Sequence, residues 1–314
     1  MKYFIFGSGS IGRQHYNNLQ VLGADVKILS WKKINLEETL NEIKKLNEGI
    51  GVIIATGSDV RTQLIKELTK FDISLYIEKP LAFKKKDIDF IYSLPKKILK
   101  KSVVGFMMRY HPIILEMYKL KFDDYFRANF EIGLDVNCWR DNWKFSKSYA
   151  SNSSGGGVLL DLCHEIDIAN LLCGPGKIKN VYSLLSPKFP GVDIASTLIF
   201  SNKNNYIYNV SMDYLAPTLL RQGKIIGKKL ILEYDIANNL LKIDNGKNKE
   251  IKSYDVDRNT LFLSLMKDFM ALAEGKKVSN KLIPRLDKVK NVCELIASAW
   301  KKREFVGELA TKLR

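Results

Sequence analysis

The sequence predicts a two-domain α/β protein, in which an N-terminal doubly wound parallel sheet precedes an α+β domain with a large, mostly antiparallel open sheet. The first third of the 314 residues alternates short β-branched apolar runs with amphipathic stretches of helical length. After Pro112 the alternating segments become longer, and the turns between them are too short for helical crossovers. We therefore expect domains at residues 1–112 and 113–314, each with its own core.

The first domain should contain five parallel strands, because every connection between them has the length of a helix. Its strands are expected at residues 3–6, 26–29, 51–55, 75–77 and 103–106, with helices at 11–22, 36–46, 60–71 and 86–93. The second domain should contain strands at residues 126–135, 178–185, 194–200, 206–214, 224–234 and 240–243, with helices at 157–172, 260–273 and 286–303.

The composition bears on the class of partner. The formal net charge is +16, but the lysines are scattered in pairs and triplets at element ends, so a solvated surface is favoured over a nucleic-acid partner. A phosphate-bearing ligand is the second interpretation of the positive charge.

The four cysteines have no metal-like spacing, which predicts reduced core residues, no disulfide and no metal. With no apolar run of eighteen residues and no signal segment, we expect a cytoplasmic protein without membrane contact.

A glycine-rich segment follows the first predicted strand and opens the first predicted helix. Residues 7–12 read G-S-G-S-I-G, which matches G-x-G-x-x-G in the context that gives this motif its meaning. Gly7 permits a tight turn, Gly9 lets the backbone approach a pyrophosphate, and Gly12 lets helix and strand pack closely. This pattern predicts a Rossmann-type dinucleotide site whose contacts come from Gly7, Ser8, Gly9, Ser10, Ile11 and Gly12.

The segment after the second predicted strand bears on the choice of cofactor. An acidic residue there normally binds the ribose 2′-hydroxyl of NAD, whereas a cation accommodates the 2′-phosphate of NADP. The chain carries Ser30, Trp31, Lys32 and Lys33 and no acidic residue. NADP is therefore slightly favoured over NAD, and Trp31 could stack on adenine in either case. The alternative, that Lys32 and Lys33 are ordinary loop lysines, is nearly as well supported.

Three further segments resemble the glucose-fructose oxidoreductase, inositol dehydrogenase and rhizopine catabolism (Gfo/Idh/MocA) family. They read Y-I-E-K-P-L at 76–81, V-G-F-M-M-R-Y-H-P at 104–112 and G-G-G-V-L-L-D-L-C-H-E-I-D at 155–167. The spelling D-L-x-H-E-x-D resembles a subgroup associated with surface-sugar synthesis. The resemblance covers almost the whole chain and implies NAD(P)-dependent hydride transfer at a hydroxyl or keto carbon of a sugar or nucleotide sugar.

The resemblance also implies catalytic roles. Lys79 would lie beside the nicotinamide and the substrate hydroxyl, and His164 would be the acid/base. An imidazole can take the hydroxyl proton near neutral pH, and an ammonium can stabilise alkoxide character. Asp161, three residues before His164, should share its helical face and orient the imidazole or bind the sugar. Many relatives place this aspartate one residue earlier, where this chain has Leu160.

Other residues are expected to contact the ligands. Cofactor contacts beyond the glycine loop and residues 30–33 are predicted from Thr56, Glu78, Lys79 and Arg109. Substrate contacts are predicted from Lys79, Arg109, His111, Trp139, Arg140, Tyr149, Asp161 and His164. In the alternative interpretation, His111 only ends a strand, and Trp139 and Trp143 pack under a long loop. The chain departs from the family at Met107, Gly57 and Arg61, which puts cofactor contacts in question more than the fold. His15 is expected to be exposed or to cap a helix.

The leading functional hypothesis is a sugar or nucleotide-sugar dehydrogenase or reductase of surface-glycan biosynthesis. The alternatives are a non-catalytic dinucleotide or sugar sensor, a redox-neutral enzyme with tightly held NAD that acts through a keto-sugar, and, from charge alone, a nucleic-acid binder. Relatives pair through the open face of the second-domain sheet. Strands 194–200 and 206–214 carry apolar residues that one helical layer would leave uncovered, so we expect a homodimer or homotetramer.

Overall fold

Two units, each built from two separate stretches of chain, make up the computed structural model, which describes residues 1–46, 49–120, 124–138, 144–310 and 313. The first unit comprises Met1–Tyr110 and Asp257–Cys293, and the second comprises His111–Val256 and Glu294–Arg314. The sequence pattern places everything after residue 112 in the second domain, whereas Asp257–Cys293 packs with the first. Aromatic contacts explain why this segment packs with the first unit. The ring of Phe269 packs edge to face against the rings of Tyr3 and Tyr76, which both belong to the parallel sheet.

The strands and helices are numbered in chain order. The strands are β1 (Lys2–Phe6), β2 (Asp25–Leu29), β3 (Ile50–Ile54), β4 (Ile73–Ile77), β5 (Val103–Val104), β6 (Tyr125–Gly133), β7 (Lys177–Ser186), β8 (Phe189–Ser201), β9 (Ile207–Asp213), β10 (Leu220–Gly227), β11 (Ile231–Asp235), β12 (Leu240–Asp244), β13 (Lys249–Ser253) and β14 (Glu304–Glu308). The helices are α1 (Ser10–Val21), α2 (Leu36–Lys44), α3 (Ser58–Leu68), α4 (Lys85–Tyr92), α5 (Lys96–Lys101), α6 (Pro112–Lys119), α7 (Val158–Asp161), α8 (His164–Cys173), α9 (Arg258–Ala273) and α10 (Lys290–Lys301).

The first unit contains the predicted parallel sheet, with strand order β2-β1-β3-β4-β5. Every residue of β3 and β4 is buried, as expected for interior strands covered on both faces. The strand order reverses at β1, so the carboxyl ends of β1 and β3 lie side by side. Ligands of doubly wound sheets bind at such a reversal. The fifth strand is shorter than predicted, because the chain turns into a 3-10 helix at Met107–Tyr110.

The second unit contains the predicted open sheet, with strand order β13-β12-β11-β10-β6-β9-β8-β7-β14. The pairs β6-β9 and β7-β14 are parallel and the others are antiparallel. The expected strand at 224–234 is two strands, β10 and β11, joined by a turn. The helix expected at 157–172 is also divided, into α7 and α8.

The two faces of the open sheet differ in polarity. One face is apolar and buried, and α8 packs on β6 and β9. The other face carries partly or fully exposed polar side chains at the centre of the sheet: Arg127, Asn129, Glu131, Thr197, Asn209 and Ser211. Most apolar residues of β8 and β9 are buried, but Ile207 of β9 is 51% exposed on the polar face, so these strands leave one large apolar side chain uncovered. Among the described residues no helix is both long enough and apolar enough to cross a membrane.

Candidate cofactor and acid/base sites

The glycine loop joins β1 to α1 and has the packing that its sequence predicts. A Cβ on Gly12 would lie 1.8 Å from the Gly7 carbonyl oxygen, and one on Gly7, whose φ is +120°, would lie 2.5 Å from that of Ala55. These two positions therefore exclude any side chain. Gly9 instead faces open space, with no atom within 4 Å of its ideal Cβ, and it is the N-cap of α1 without a side-chain cap bond. The loop thus offers an uncapped helix N-terminus with room for an anion, which fits the pyrophosphate of NAD(P).

Two other predicted cofactor positions lie beside this loop. The Gly7 N–H donates to Leu29 O, which ends β2, at 2.9 Å, so the turn that carries Ser30 to Lys33 adjoins the loop. Both lysines are exposed in that turn. Thr56 follows β3, and its hydroxyl is buried without a hydrogen-bond partner among the described residues. A buried hydroxyl at the strand-order reversal fits a polar ligand.

Glu78, predicted as a cofactor contact, has its carboxylate turned into the first unit. Its Oε1 lies 2.7 Å from Nε2 of His15, and both side chains are buried. Burial alone would raise the pKa of Glu78, but the His15 hydrogen bond and the charges of His15, Lys79 and Arg61 hold that pKa below its ordinary value. The expectation that His15 is exposed or caps a helix is wrong, because its ring is enclosed by Tyr76 and Phe262.

Lys79 and Arg109 come after the carboxyl ends of β4 and β5. Lys79 is partly exposed, and the peptide bond between it and Pro80 is cis. Arg109 is buried in the 3-10 helix at Met107–Tyr110, and one of its N–H groups donates to the carbonyl oxygen of Leu282 at 3.5 Å. The structure therefore leaves Lys79 accessible from solvent, whereas Arg109 is largely packed inside the first unit.

The predicted acid/base segment lies in the second unit. Asp161 ends α7 and is buried, and its two carboxylate oxygens accept hydrogen bonds from Tyr149 OH and, at 3.1 Å, from Tyr214 OH. His164 is the first residue of α8 and is 8% exposed. Tyr149 is half exposed. The structure thus brings Tyr149, predicted as a substrate contact, onto the predicted catalytic carboxylate.

Asp161 and His164 do not share one continuous helix, in contrast to the sequence-based expectation. The chain tightens between α7 and α8, where the Glu165 N–H donates to Leu162 O, three residues earlier. The start of α7 is fixed by Gly157, whose φ is +93°, and by Asp193, whose carboxylate accepts from the Leu159 N–H at 2.9 Å. A side chain on Gly157 would collide with Asp193, so the glycine is required there.

A second buried carboxylate lies next to His164. Glu165 accepts from Nε of Arg221 at 2.6 Å and from Tyr234 OH at 3.5 Å. Burial raises the pKa of Glu165 even though Arg221 and Tyr234 oppose the rise. This ion pair attaches the first turn of α8 to β10 and β11, and so fixes the backbone that carries His164.

His111, predicted as a substrate contact, caps a helix. Its Nδ1 accepts from the Ile113 N–H at 3.3 Å at the start of α6, and the side chain is buried. Burial and the nearby Arg221 lower its pKa from the ordinary 6.5 to about 4, against an opposing hydrogen bond with Asn239. The imidazole is therefore neutral at physiological pH, which suits a cap acceptor.

This histidine should make folding sensitive to mild acid. The unfolded chain takes up the proton near pH 6.5 and the folded chain only near pH 4, so stability is lost as pH falls between these values. We expect the free energy of unfolding to fall by about 2 kcal/mol from pH 7 to 5 through this residue. Urea unfolding at both values, compared with His111→Asn, measures it, since asparagine caps without titrating. Equal pH dependence in both proteins would contradict the assignment.

The predicted positions of two substrate contacts and one cysteine are not confirmed. Trp139 and Arg140 fall outside the described residues. Of the cysteines predicted to lie in the core, Cys163, Cys173 and Cys293 are buried, but Cys138 is exposed.

The functional residues that were not predicted from sequence are the partners of the predicted ones: His15, Tyr214 and Arg221. The local sequence around Tyr214 reads S-M-D-Y-L at 211–215, and nothing in it identifies Asp161 as the partner of this tyrosine.

The fold is similar to those of several solved oxidoreductases. Neither a family model nor a curated protein sequence matches the chain. Among solved structures, UDP-N-acetylglucosamine 3-dehydrogenase from Acidithiobacillus ferrooxidans is similar, with a TM-score of 0.73, 16% identity, and coverage of 95% of this chain and 96% of that one. Levoglucosan dehydrogenase, solved with NADH and levoglucosan, has a TM-score of 0.74 and 16% identity, with 96% of both chains covered. An oxidoreductase domain protein from Kribbella flavida has a TM-score of 0.76 at 16% identity, again with 96% of both chains covered.

At these identities the likeness shows the fold alone. That fold agrees with the one implied by the Gfo/Idh/MocA resemblance of the sequence motifs. The chain therefore has the two-part α/β fold, with a parallel dinucleotide-type sheet and a large open sheet, that these sugar and nucleotide-sugar dehydrogenases share.

Proposed function

We propose that this chain is a cytoplasmic NAD(P)-dependent oxidoreductase of surface-glycan biosynthesis. It acts on a hydroxyl or keto carbon of a sugar or nucleotide sugar. The observation that carries the proposal is the glycine loop, where Gly9 leaves open space at an uncapped helix N-terminus on the strand-order reversal. The solved neighbours support the substrate class, since two of them are named for a sugar or nucleotide sugar on which they act.

The chemistry is divided among three side chains. When bound, the nicotinamide accepts or supplies the hydride. His164 takes the proton from the reacting hydroxyl, or returns it in the reverse direction, because an imidazole exchanges protons near neutral pH. Lys79 stabilises the negative charge that develops on that oxygen. Asp161, held by the hydroxyls of Tyr149 and Tyr214, provides a fixed acceptor for the imidazole or a sugar hydroxyl.

The proposal is tested first through the cofactor. Mass spectrometry of the denatured, purified protein shows whether NAD(H) or NADP(H) remained bound. A screen of free sugars and nucleotide sugars, including UDP-N-acetylglucosamine and levoglucosan, then follows the absorbance of reduced nicotinamide. Cofactor binding together with turnover supports the proposal. Failure to bind either cofactor would remove it, and binding without turnover of any sugar would favour the sensor.

We expect NADP(H) to bind more tightly than NAD(H). The exposed Lys32 and Lys33 lie in the turn after β2, where an ammonium would neutralise the 2′-phosphate. Titration by tryptophan fluorescence measures both affinities. Lys32→Ala with Lys33→Ala should weaken NADP(H) binding by about tenfold and leave NAD(H) binding unchanged, since one charged contact contributes roughly 1–2 kcal/mol. The exposed Lys70→Ala, on a different loop of the same unit, is the control. Equal affinities in the unmodified protein would contradict this preference.

We also propose a homodimer or homotetramer. The polar face of the open sheet carries hydrogen-bonded pairs such as Asn129 with Asn209 and Thr197 with Ser211. Such a face can associate only if the partner satisfies its polar groups. Light scattering at micromolar concentration should give at least twice the chain mass of 35.9 kDa. Glu131→Lys, at the centre of the face, should then reduce the mass; a monomer in the unmodified protein would contradict the proposal.

A further inference from the structure

Arg61 occupies a buried position that joins two strand ends in the first unit. It lies on α3 and is 3% exposed. Its Nη1 donates to Glu78 O at 2.6 Å and also to Pro80 O, and its Nη2 donates to Thr56 O at 2.6 Å. One guanidinium thus connects the end of β3 with the two carbonyl groups that flank Lys79 in sequence.

The backbone around Lys79 lies beyond the strand ladder. β4 ends at Ile77, which pairs with Ile54, so the ladder supplies no donor to the carbonyls of Glu78 and Pro80. Arg61 supplies those donors. A guanidinium is planar and directs its N–H groups in a fixed fork, so three carbonyls that it bonds at once are held in fixed positions relative to each other.

The side chain of Glu78 is fixed from another direction. Its carboxylate pairs with His15 of α1, and a Cβ on Gly105 would lie only 3.1 Å from that carboxylate. Residue 78 is therefore held through its backbone by α3 and through its side chain by α1. Lys79, the next residue, is the partly exposed position that these two contacts support.

We propose that Arg61 is a positioning residue for Lys79: by bonding the carbonyls on both sides of it, the guanidinium fixes the point from which the Lys79 ammonium reaches its ligand. The effect on catalysis rests on the proposed function, whereas the effect on the backbone around Lys79 does not. A buried guanidinium is costly to desolvate, so a purely packing role would be served as well by an apolar side chain.

Hydrogen exchange of the full chain without cofactor tests whether Arg61 holds the backbone around Lys79. In Arg61→Ala, peptides covering residues 76–83 should exchange at least about tenfold faster, whereas peptides from the open sheet should not change. Guanidinium at millimolar concentration should restore part of the protection. The matched control is Arg285→Ala, which removes an arginine of the same unit that pairs with Asp287; it should neither loosen residues 76–83 nor respond to guanidinium.

A milder variant keeps this test decisive if Arg61→Ala does not fold. Arg61→Lys retains the charge but loses the fork, so it cannot bond all three carbonyls in the same geometry. It should speed exchange at residues 76–83 severalfold. Exchange in this peptide that equals the unmodified protein in both arginine variants, or in Arg61→Lys alone if only that variant folds, would overturn the proposal.

Kinetics then test whether Arg61 affects catalysis through Lys79. Arg61→Ala should lower kcat by about tenfold or more, since small displacements of a catalytic group are costly. In the Lys79→Ala background, Arg61→Ala should add nothing, because the group that it positions is gone. Additive losses would refute action through Lys79. If neither the unmodified protein nor any variant turns over a sugar, the proposed function fails. The exchange experiment still decides whether Arg61 holds the backbone around Lys79.

Discussion

Replacement of His164 by alanine is expected to lower kcat by roughly two to four powers of ten, the usual range for loss of a general base. The imidazole is the proposed proton acceptor for the reacting hydroxyl. It lies in the second unit at the first residue of α8, whereas the glycine loop lies in the first unit. Cofactor affinity should therefore stay within about threefold, and the loss should appear in kcat. Steady-state kinetics with the sugar found by screening, together with fluorescence titration of the cofactor, measures both quantities.

Two further variants separate proton transfer from packing. His164→Gln retains a polar side chain of similar size without a titratable group, so it should be nearly as impaired as His164→Ala. Asn170→Ala changes a residue six positions along α8 and should retain kcat within about twofold. Substantial activity in His164→Gln would show that the imidazole positions the substrate without exchanging its proton. A fall in cofactor affinity equal to the fall in kcat would point to a binding role.

The fold follows from local patterns where those patterns are complete. The inner parallel strands are mostly apolar and are separated by helical stretches, and the glycines at 7 and 12 stand where no side chain fits, so the sheet and the glycine loop are both predicted from sequence. The break between α7 and α8 is not predicted. Asp161, Leu162 and His164 fit a continuous helical pattern, and the break depends on tertiary contacts such as that between Asp193 and the start of α7. Local periodicity does not contain this information.

The partners of the predicted residues are the other part that sequence could not supply. His15 has polar neighbours on α1 and so resembles a surface residue, yet it is buried by Phe262 of α9, an element far along the chain. Arg61 was identified only as a departure from a family pattern, and its carbonyl partners come from two other strand ends. Such chemical groups can be located from the sequence, whereas their pairing requires the fold.

Replacement of Lys79 by alanine is expected to be at least as damaging as loss of His164. The ammonium is the proposed source of positive charge for the oxygen that develops alkoxide character, and such electrostatic stabilisation is often the largest single contribution to catalysis. We expect kcat to fall by roughly three powers of ten or more. The variant should fold, because Lys79 is partly exposed and its neighbours are held by Arg61 and His15 through contacts that do not use the lysine side chain.

The pH dependence of Lys79→Ala carries the sharper test. If the ammonium and the imidazole serve the same hydroxyl, removing the cation raises the pKa of the imidazole, because a nearby positive charge disfavours its protonated form. In the direction of sugar oxidation the neutral imidazole is the active form, so the acid limb of kcat should move to higher pH. Lys79→Arg, which keeps the charge, should leave that limb in place, and Lys84→Ala, an exposed lysine of the same loop, should change neither kcat nor the limb. An unchanged acid limb in Lys79→Ala, with kcat reduced, would mean that the lysine acts on the substrate without electrostatic coupling to the base.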